Sequence, residues 1–202
     1  MKKPSNLFLP IFALMALAVV ACKKDDASPE KHKTIMINAS SYSDWVYFSF
    51  EKDKIVQIDN FSTSLDWDLG FHRYDLRVNC GKSGKGKGGS LVSEKTDFDS
   101  ILEAPATGYS LNDSIEIYTD LSVMPPVEVK VPGDTVLAKW ITKSFGAQGP
   151  QYKINNKMFV IKTASGKYAK IWLRDFFNNQ AKAGHITMQY IYQPDGSRNL
   201  DL

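Results

Sequence analysis

Apolar residues recur at every second position through most of this chain. Val46, Phe48 and Phe50 alternate, and Lys52-Asp53-Lys54 reads as a turn into a second strand over residues 55–59. Trp67, Leu69 and Phe71 face one way while Asp66, Asp68, Gly70 and His72 face the other. Ile115, Ile117 and Thr119 repeat the period, as do Val127, Val129 and Val131. Residues 159–163 and 167–173 flank Ala164-Ser165-Gly166, a hairpin signal. The last strand, residues 185–193, sets Ile186, Met188, Tyr190 and Tyr192 on one face. Only residues 98–104 read as a helix, and a short one. The pattern predicts an all-β fold, a single antiparallel β domain built as two packed sheets or a partly closed barrel.

The amino terminus departs from this pattern. Lys2 and Lys3 precede an apolar run over residues 7–21 that ends at Cys22. The run is too short and wrongly flanked for a membrane-spanning helix and reads as a secretory signal. Val19-Val20-Ala21-Cys22 fits a bacterial lipoprotein cleavage site, so residues 1–21 are expected to be a lipoprotein signal peptide and Cys22 the lipidation site. Residues 22–33 are charged and poor in apolar groups, which predicts a lipidated flexible tether before the β domain at 34–202.

Removing the leader changes the charge balance. Lys2 and Lys3 leave with it, so 23 of the 25 basic residues remain against 22 acidic ones. A near-neutral surface argues against a nucleic-acid partner, and membrane contact is expected through the lipid anchor only. Once Cys22 is acylated, Cys80 stands alone, which rules out an internal disulfide and suggests a buried small hydrophobe. Only three histidines exist, His32, His72 and His185. With no H-E-x-x-H, no paired cysteines and no G-x-S-x-G, the zinc, redox and hydrolase templates all fail. Asp66 and Asp68 lie two apart on one strand face, an arrangement far commoner as a solvated or hydrogen-bonded face than as a glycosidase pair. No catalytic residue, metal site or enzymatic activity is expected.

Residues 81–90 hold five glycines and three lysines. Gly81 to Lys87 matches G-x-x-x-x-G-K, but Gly88 stands where a metal-binding hydroxyl belongs, and no amphipathic helix follows. The glycines are therefore read as backbone geometry. Across the longer chain, Trp67-Asp68, His72-Arg73-Tyr74-Asp75, Asn79-Cys80-Gly81, Ser83-Gly84, Gly86 and Gly88-Gly89 occur in order. WVYFSF at 45–50, PATGY at 105–109 and GPQYKINN at 149–156 accompany them. On these residues the chain resembles the HmuY family of haem-binding lipoproteins from Bacteroidetes bacteria, over about residues 34–192. Lys23-Lys24-Asp25-Asp26 behind the cysteine likewise resembles the surface-export signal of lipoproteins in these bacteria.

The resemblance implies an all-β domain that binds haem b as a transported ligand, not as a catalytic cofactor. It also implies a lipid-anchored, surface-exposed place in the outer membrane, and haemophore-like delivery of haem to a TonB-dependent outer-membrane receptor in iron acquisition. The best-known family member holds iron with two histidines, one of them just before a G-x-x-G-P turn. Aligning residues 146–150 with that turn puts Phe145 at this position, and phenylalanine cannot coordinate iron. The other position falls near Val123-Met124-Pro125, which makes Met124 the candidate haem iron ligand through a soft, neutral thioether. Met124 capping a strand end as core is the alternative. Trp140 and Phe145 are candidate pocket walls that could stack on a porphyrin or related tetrapyrrole. His72 belongs to the strand motif and is read as structural, and Met158 and Met188 as core. The alternative function is an HmuY-like surface lipoprotein that has lost haem and binds a glycan, peptide or host protein.

Overall fold

Among the described residues the period-two pattern resolves into thirteen strands, every pair of them antiparallel. The computed structural model describes residues 31–147 and 149–202, together with Met1. The expected signal peptide, Cys22 and most of the expected tether lie outside the described residues. In chain order the strands are β1 (Lys33–Asn38), β2 (Val46–Ser49), β3 (Lys54–Val56), β4 (Leu69–His72), β5 (Asp75–Val78), β6 (Gly89–Val92) and β7 (Asp113–Asp120). There follow β8 (Val127–Gly133), β9 (Ile141–Gly146), β10 (Gly149–Ile154), β11 (Met158–Lys162), β12 (Tyr168–Phe177) and β13 (Ala183–Gln193).

Two larger sheets carry the core. One runs β1-β13-β12-β11-β6 and the other β3-β2-β4-β5; the hairpins β7–β8 and β9–β10 form two further two-stranded sheets. Phe48, Leu69, Phe71, Leu76 and Val78 from the four-stranded sheet share one buried cluster with Phe159, Ile161, Ile171, Ile186 and Met188 from the five-stranded sheet. Each fully buried Leu, Ile or Phe contributes roughly 1.5–3 kcal/mol, so this shared layer dominates stability. The expected two packed sheets are present, and they do not close into a barrel. The hairpin expected around residues 164–166 is the β11–β12 turn, where the Gly166 and Lys167 region folds back onto Thr163.

Three details differ from the sequence reading. The segment expected as a helix at 98–104 is an irregular turn whose Phe98, Ile101 and Ala104 cover the outer face of the five-stranded sheet. Spacing by three imitates a helical stripe, but the segment is held by backbone bonds from Ala104 to Arg198 and from Leu200 to Leu102. The second difference follows from this cover. Ile191 and Gln193 on the supposedly outer face of β13 are buried, so alternation there marks two interiors. Likewise β4 is buried on both faces and begins only at Leu69.

The glycine loop is built around Asn79, which is 0% exposed. Its Nδ2 donates to the carbonyls of Ser64 and Trp67, each at 2.9 Å, and its Oδ1 accepts from the Gly86 N–H at 3.0 Å. A Cβ at Gly84, Gly86 or Gly88 would fall 2.1, 2.4 or 2.7 Å from an Asn79 oxygen. Close backbone approach thus explains the glycines without a phosphate. Cys80 is buried beside Asn112, and burial pushes its thiol up to about 11.

Candidate ligand-binding site

The two small hairpins carry the residues singled out in sequence. In β9–β10, Lys143 pairs with Tyr152 and Phe145 with Pro150, so these four share one face. That face meets Tyr74, which follows β4. The Tyr152 ring lies 5.8 Å from the Tyr74 ring, and Lys143 Nζ lies 3.9 Å from its centroid. Tyr152 also packs 4.8 Å from Phe176. From the other hairpin, Tyr118 is near enough to Tyr74 to act on its ionisation. Tyr42 completes the group, with the Arg73 guanidinium 4.3 Å above its ring.

Tyr74 and Tyr152 therefore pack together from separate segments, with Tyr42 and Tyr118 near enough to act on the Tyr74 phenol. Burial raises the phenol of Tyr74, and neighbouring Asp75, Tyr152, Tyr42 and Tyr118 raise it further. Burial also raises Tyr42, although Arg73 pulls it part of the way back. Both phenols consequently stay neutral at physiological pH, while Lys143 and Arg73 supply positive charge beside them and Asp75 a carboxylate 3.9 Å from Lys143 Nζ. Arg73 is fixed by donating to the Ser40 carbonyl at 3.0 Å. The arrangement suits a flat apolar molecule bearing an anionic edge: rings to stack on, hydroxyls to donate, cations at the side.

Each sequence-predicted residue has a definite place. Met124 sits in the β7–β8 connection and is 90% exposed, with Leu121, Val123 and Val127 also exposed around it. Core capping, the alternative for Met124, is thereby excluded. Phe145 is 80% exposed near the tip of β9. Trp140 is not with them: it is 0% exposed, donates its indole N–H to the Tyr74 carbonyl at 2.9 Å, and packs against Phe176. It supports the tyrosine floor from within the core and presents no free ring face. His72 is buried, hydrogen-bonded through Nε2 to the Tyr42 carbonyl at 2.8 Å and stacked on Trp45. Met158 and Met188 are core residues, as expected. Among the described residues, no three His, Cys, Asp or Glu side chains come together to hold a bare metal ion.

Sequence reasoning missed Tyr42, Tyr118 and Tyr152. Tyr74 and Tyr152 lie inside the quoted HRYD and GPQYKINN stretches, so a signal was present, but nothing in the period-two pattern says that these strands meet. A recess of about 630 Å³ lies elsewhere, between β6 and residues 100–105, lined by Leu91, Val92, Ile101, Leu102 and Glu103. It contains none of the residues above.

Comparison with known proteins agrees with this architecture. The sequence model of the HmuY family, described as HmuY protein, matches residues 41–190. No curated protein sequence matches the chain. Among solved structures, the chain is similar to a provisionally assigned HmuY-like haem-binding protein from Bacteroides vulgatus ATCC 8482. That match has 26% identity and a TM-score of 0.67 over 80% of this chain and 92% of that one. The apo HmuY analogue of Tannerella forsythia shares the fold at 22% identity and a TM-score of 0.66, over 81% and 96% of the two chains. A provisionally assigned lipoprotein of Bacteroides fragilis NCTC 9343 does so at 21% and 0.66, over 82% and 92%. With its family model running from before β2 into β13 and taking in both hairpins, this chain belongs to the HmuY family.

Proposed function

We propose that this protein is a haemophore-like surface lipoprotein that captures haem b between its two hairpins and passes it to a TonB-dependent outer-membrane receptor. The observation that carries the reading is the exposure of Met124 and Phe145 on two hairpins in a chain of the HmuY family. Exposed methionine and phenylalanine at hairpin tips leave apolar surface in water, and a flat apolar ligand would cover it. Met124 would offer its thioether to iron, Phe145 a ring face, and Lys143 a charge for a carboxylate. No bond is made or broken; function lies in affinity and release. Tips this exposed are also reachable by a receptor. Cys22 would supply the acyl anchor, with residues 22–33 as tether, and Cys22→Ala should release the protein from the outer membrane.

Phe145 at a family ligand position favours a second reading, in which haem binding is lost and the hairpins hold a glycan, peptide or host protein. Titration with ferric and ferrous haem, followed by the Soret band, separates the two. A thioether prefers ferrous iron, so reduced haem should bind better. Met124→Ala should weaken ferrous binding, and Phe145→His should strengthen it and move the spectrum toward a six-coordinate form. A wild-type protein silent in both redox states would remove the haem reading and leave the second.

A further inference from the structure

The five-stranded sheet ends at β6, and part of that edge is left open. Ser90 has a neighbour on the free side: its N–H donates to the Ser110 carbonyl at 3.1 Å, and the Ser110 N–H returns to the Ser90 carbonyl at 2.8 Å. Antiparallel register would next set Gly108 opposite Val92, but Gly108 has a φ of 92° and turns the chain away. Backbone direction alternates along a strand, so the N–H and C=O of Val92 point the same way as those of Ser90. Ser93, in the opposite phase, donates inward to the Met158 carbonyl at 2.8 Å. Among the described residues, nothing pairs with the outward groups of Val92.

Beside this stretch lies the recess of about 630 Å³, which Val92 itself lines. Leu91 and Val160, paired across β6 and β11, line it from the sheet, and Ile101, Leu102 and Pro105 from the turn that covers the sheet. Leu102 is 53% exposed, so apolar surface meets water there. Of the charges along the recess, Glu103 is held by Arg198, whereas Glu94 and Lys95 are exposed and have no ion-pair partner among the described residues. An open edge and an apolar recess are the two needs of one kind of occupant. A small apolar molecule would fill the recess and leave Val92 unpaired. A strand added to β6 would satisfy Val92 through its backbone, and its next side chain, on the face of Leu91, would enter the recess. Ser110 already occupies the start of this lane, so the added strand continues a pairing present in the fold.

We infer that the β6 edge and the recess bind an extended peptide of a partner protein, with an aliphatic side chain seated between Leu91 and Leu102 and side chains of opposite charge meeting Glu94 and Lys95. The site shares no residue with the two hairpins, so it leaves them free for their own ligand.

The probes are fluorescein-labelled, amidated peptides Lys-Thr-Z-Thr-Asp and Asp-Thr-Z-Thr-Lys, with Z as Val, Ile or Leu, followed by anisotropy on the full-length protein. At least one should bind and slow hydrogen exchange at the Val92 amide. Glycine at Z should weaken binding about tenfold or more, and serine in place of both charges about threefold. N-methylation of both threonines, whose N–H groups face β6, should cost about tenfold or more, while N-methylation of Z, which points away, should be tolerated. Val92→Pro spares the bonds to β11 but removes the edge N–H, and should weaken binding about tenfold. Leu102→Ser should weaken it about fivefold. Both variants should keep the haem titration of wild type. Should Val92→Pro not fold, Leu102→Ser and the N-methyl comparison decide the matter. Absence of binding by every peptide at millimolar concentration overturns the site. So does equal loss from the two N-methylations, or undiminished binding by Val92→Pro or Leu102→Ser. A wild-type dimer that Val92→Pro dissolves would give the edge to a second copy of this chain and overturn the peptide partner.

Discussion

Replacing Asn79 tests whether the glycine loop is organised from inside. Asn79→Ala removes three hydrogen bonds of 2.9, 2.9 and 3.0 Å. It strands the Ser64 and Trp67 carbonyls and the Gly86 N–H where Asn79 itself is wholly enclosed. Each orphaned buried group costs about 1–3 kcal/mol, and the loop can rehydrate Gly86, so the total should be about 3–5 kcal/mol. Asn79→Asp keeps the shape but turns the donor into an acceptor. One oxygen still receives Gly86, while the other faces two carbonyls. An ionised aspartate there is repelled and desolvated, so its folded pKa must lie above the ordinary value of about 3.9. A raised folded pKa gives stability that is present below the unfolded value and lost as pH rises through the folded one. At pH 7 the aspartate variant should therefore be the less stable of the two, and the gap should close on acidification. Urea midpoints at neutral and mildly acid pH, with the slope checked for constancy, measure this. An alanine variant costing under about 1 kcal/mol would refute the reasoning. So would an aspartate variant that matches wild type with no pH dependence.

Gly86→Ala should cost about 3 kcal/mol or more, because its Cβ would meet the Asn79 carbonyl at 2.4 Å and Ala164 Cα at 2.9 Å, both backbone; a wild-type melting temperature would show that the loop stands clear of Asn79. Cys80, at about 11 and 1% exposed, should be about one part in a thousand thiolate at pH 8. Iodoacetamide should then label a Cys22→Ala protein only as fast as it opens, and rapid native labelling would contradict the burial. Asp134→Asn should leave stability at pH 7 unchanged or improve it. One carboxylate oxygen receives the Val136 and Leu137 N–H groups, and burial raises the pKa against those bonds. The raised pKa makes this residue's contribution fall as pH rises above the ordinary carboxylate range, so the variant should flatten that slope, and a variant much less stable at pH 7 would show that the charge is needed.

How far the sequence could be read depended on whether a residue's role was local. Strands β7, β8, β12 and β13 were legible because each satisfies its own period. The turn at 98–104 was not, since its Phe98–Ile101–Ala104 spacing is equally good for a helix and for a strap laid on a sheet, and only Lys170 and the C-terminal segment decide between them. Met124 and Phe145 were locatable by motif, and the structure shows both exposed. Trp140 was placed by its aromatic character alone, which does not distinguish a ring facing a ligand from one sealed behind Tyr74. The tyrosine floor depends on four segments meeting, up to 110 positions apart in the case of the Arg73 contact to Ala183 that steadies it. No periodicity encodes such a meeting.

That division has a consequence for function. The motif residues that identify the family are buried and mutually constrained: Asn79 ties three segments, Asp68 accepts from Phe50 and Ala164, and His72 holds the Tyr42 carbonyl. Changing any of them disturbs the fold. The two proposed ligand positions, Met124 and Phe145, are the opposite case, exposed side chains on hairpins outside the main core cluster. Surface substitutions of that kind usually change stability by no more than about 0.5 kcal/mol. Histidine, methionine or phenylalanine can therefore stand at a tip with the same sandwich beneath. Family membership is thus secure where ligand chemistry is free to vary, and Phe145 does not count against the fold. By the same reasoning Met124→Ala and Phe145→His should shift haem spectra while leaving the urea midpoint in place. A large loss of stability in either would mean that the tips are structural after all, and that their exposure is not what makes them available to a ligand.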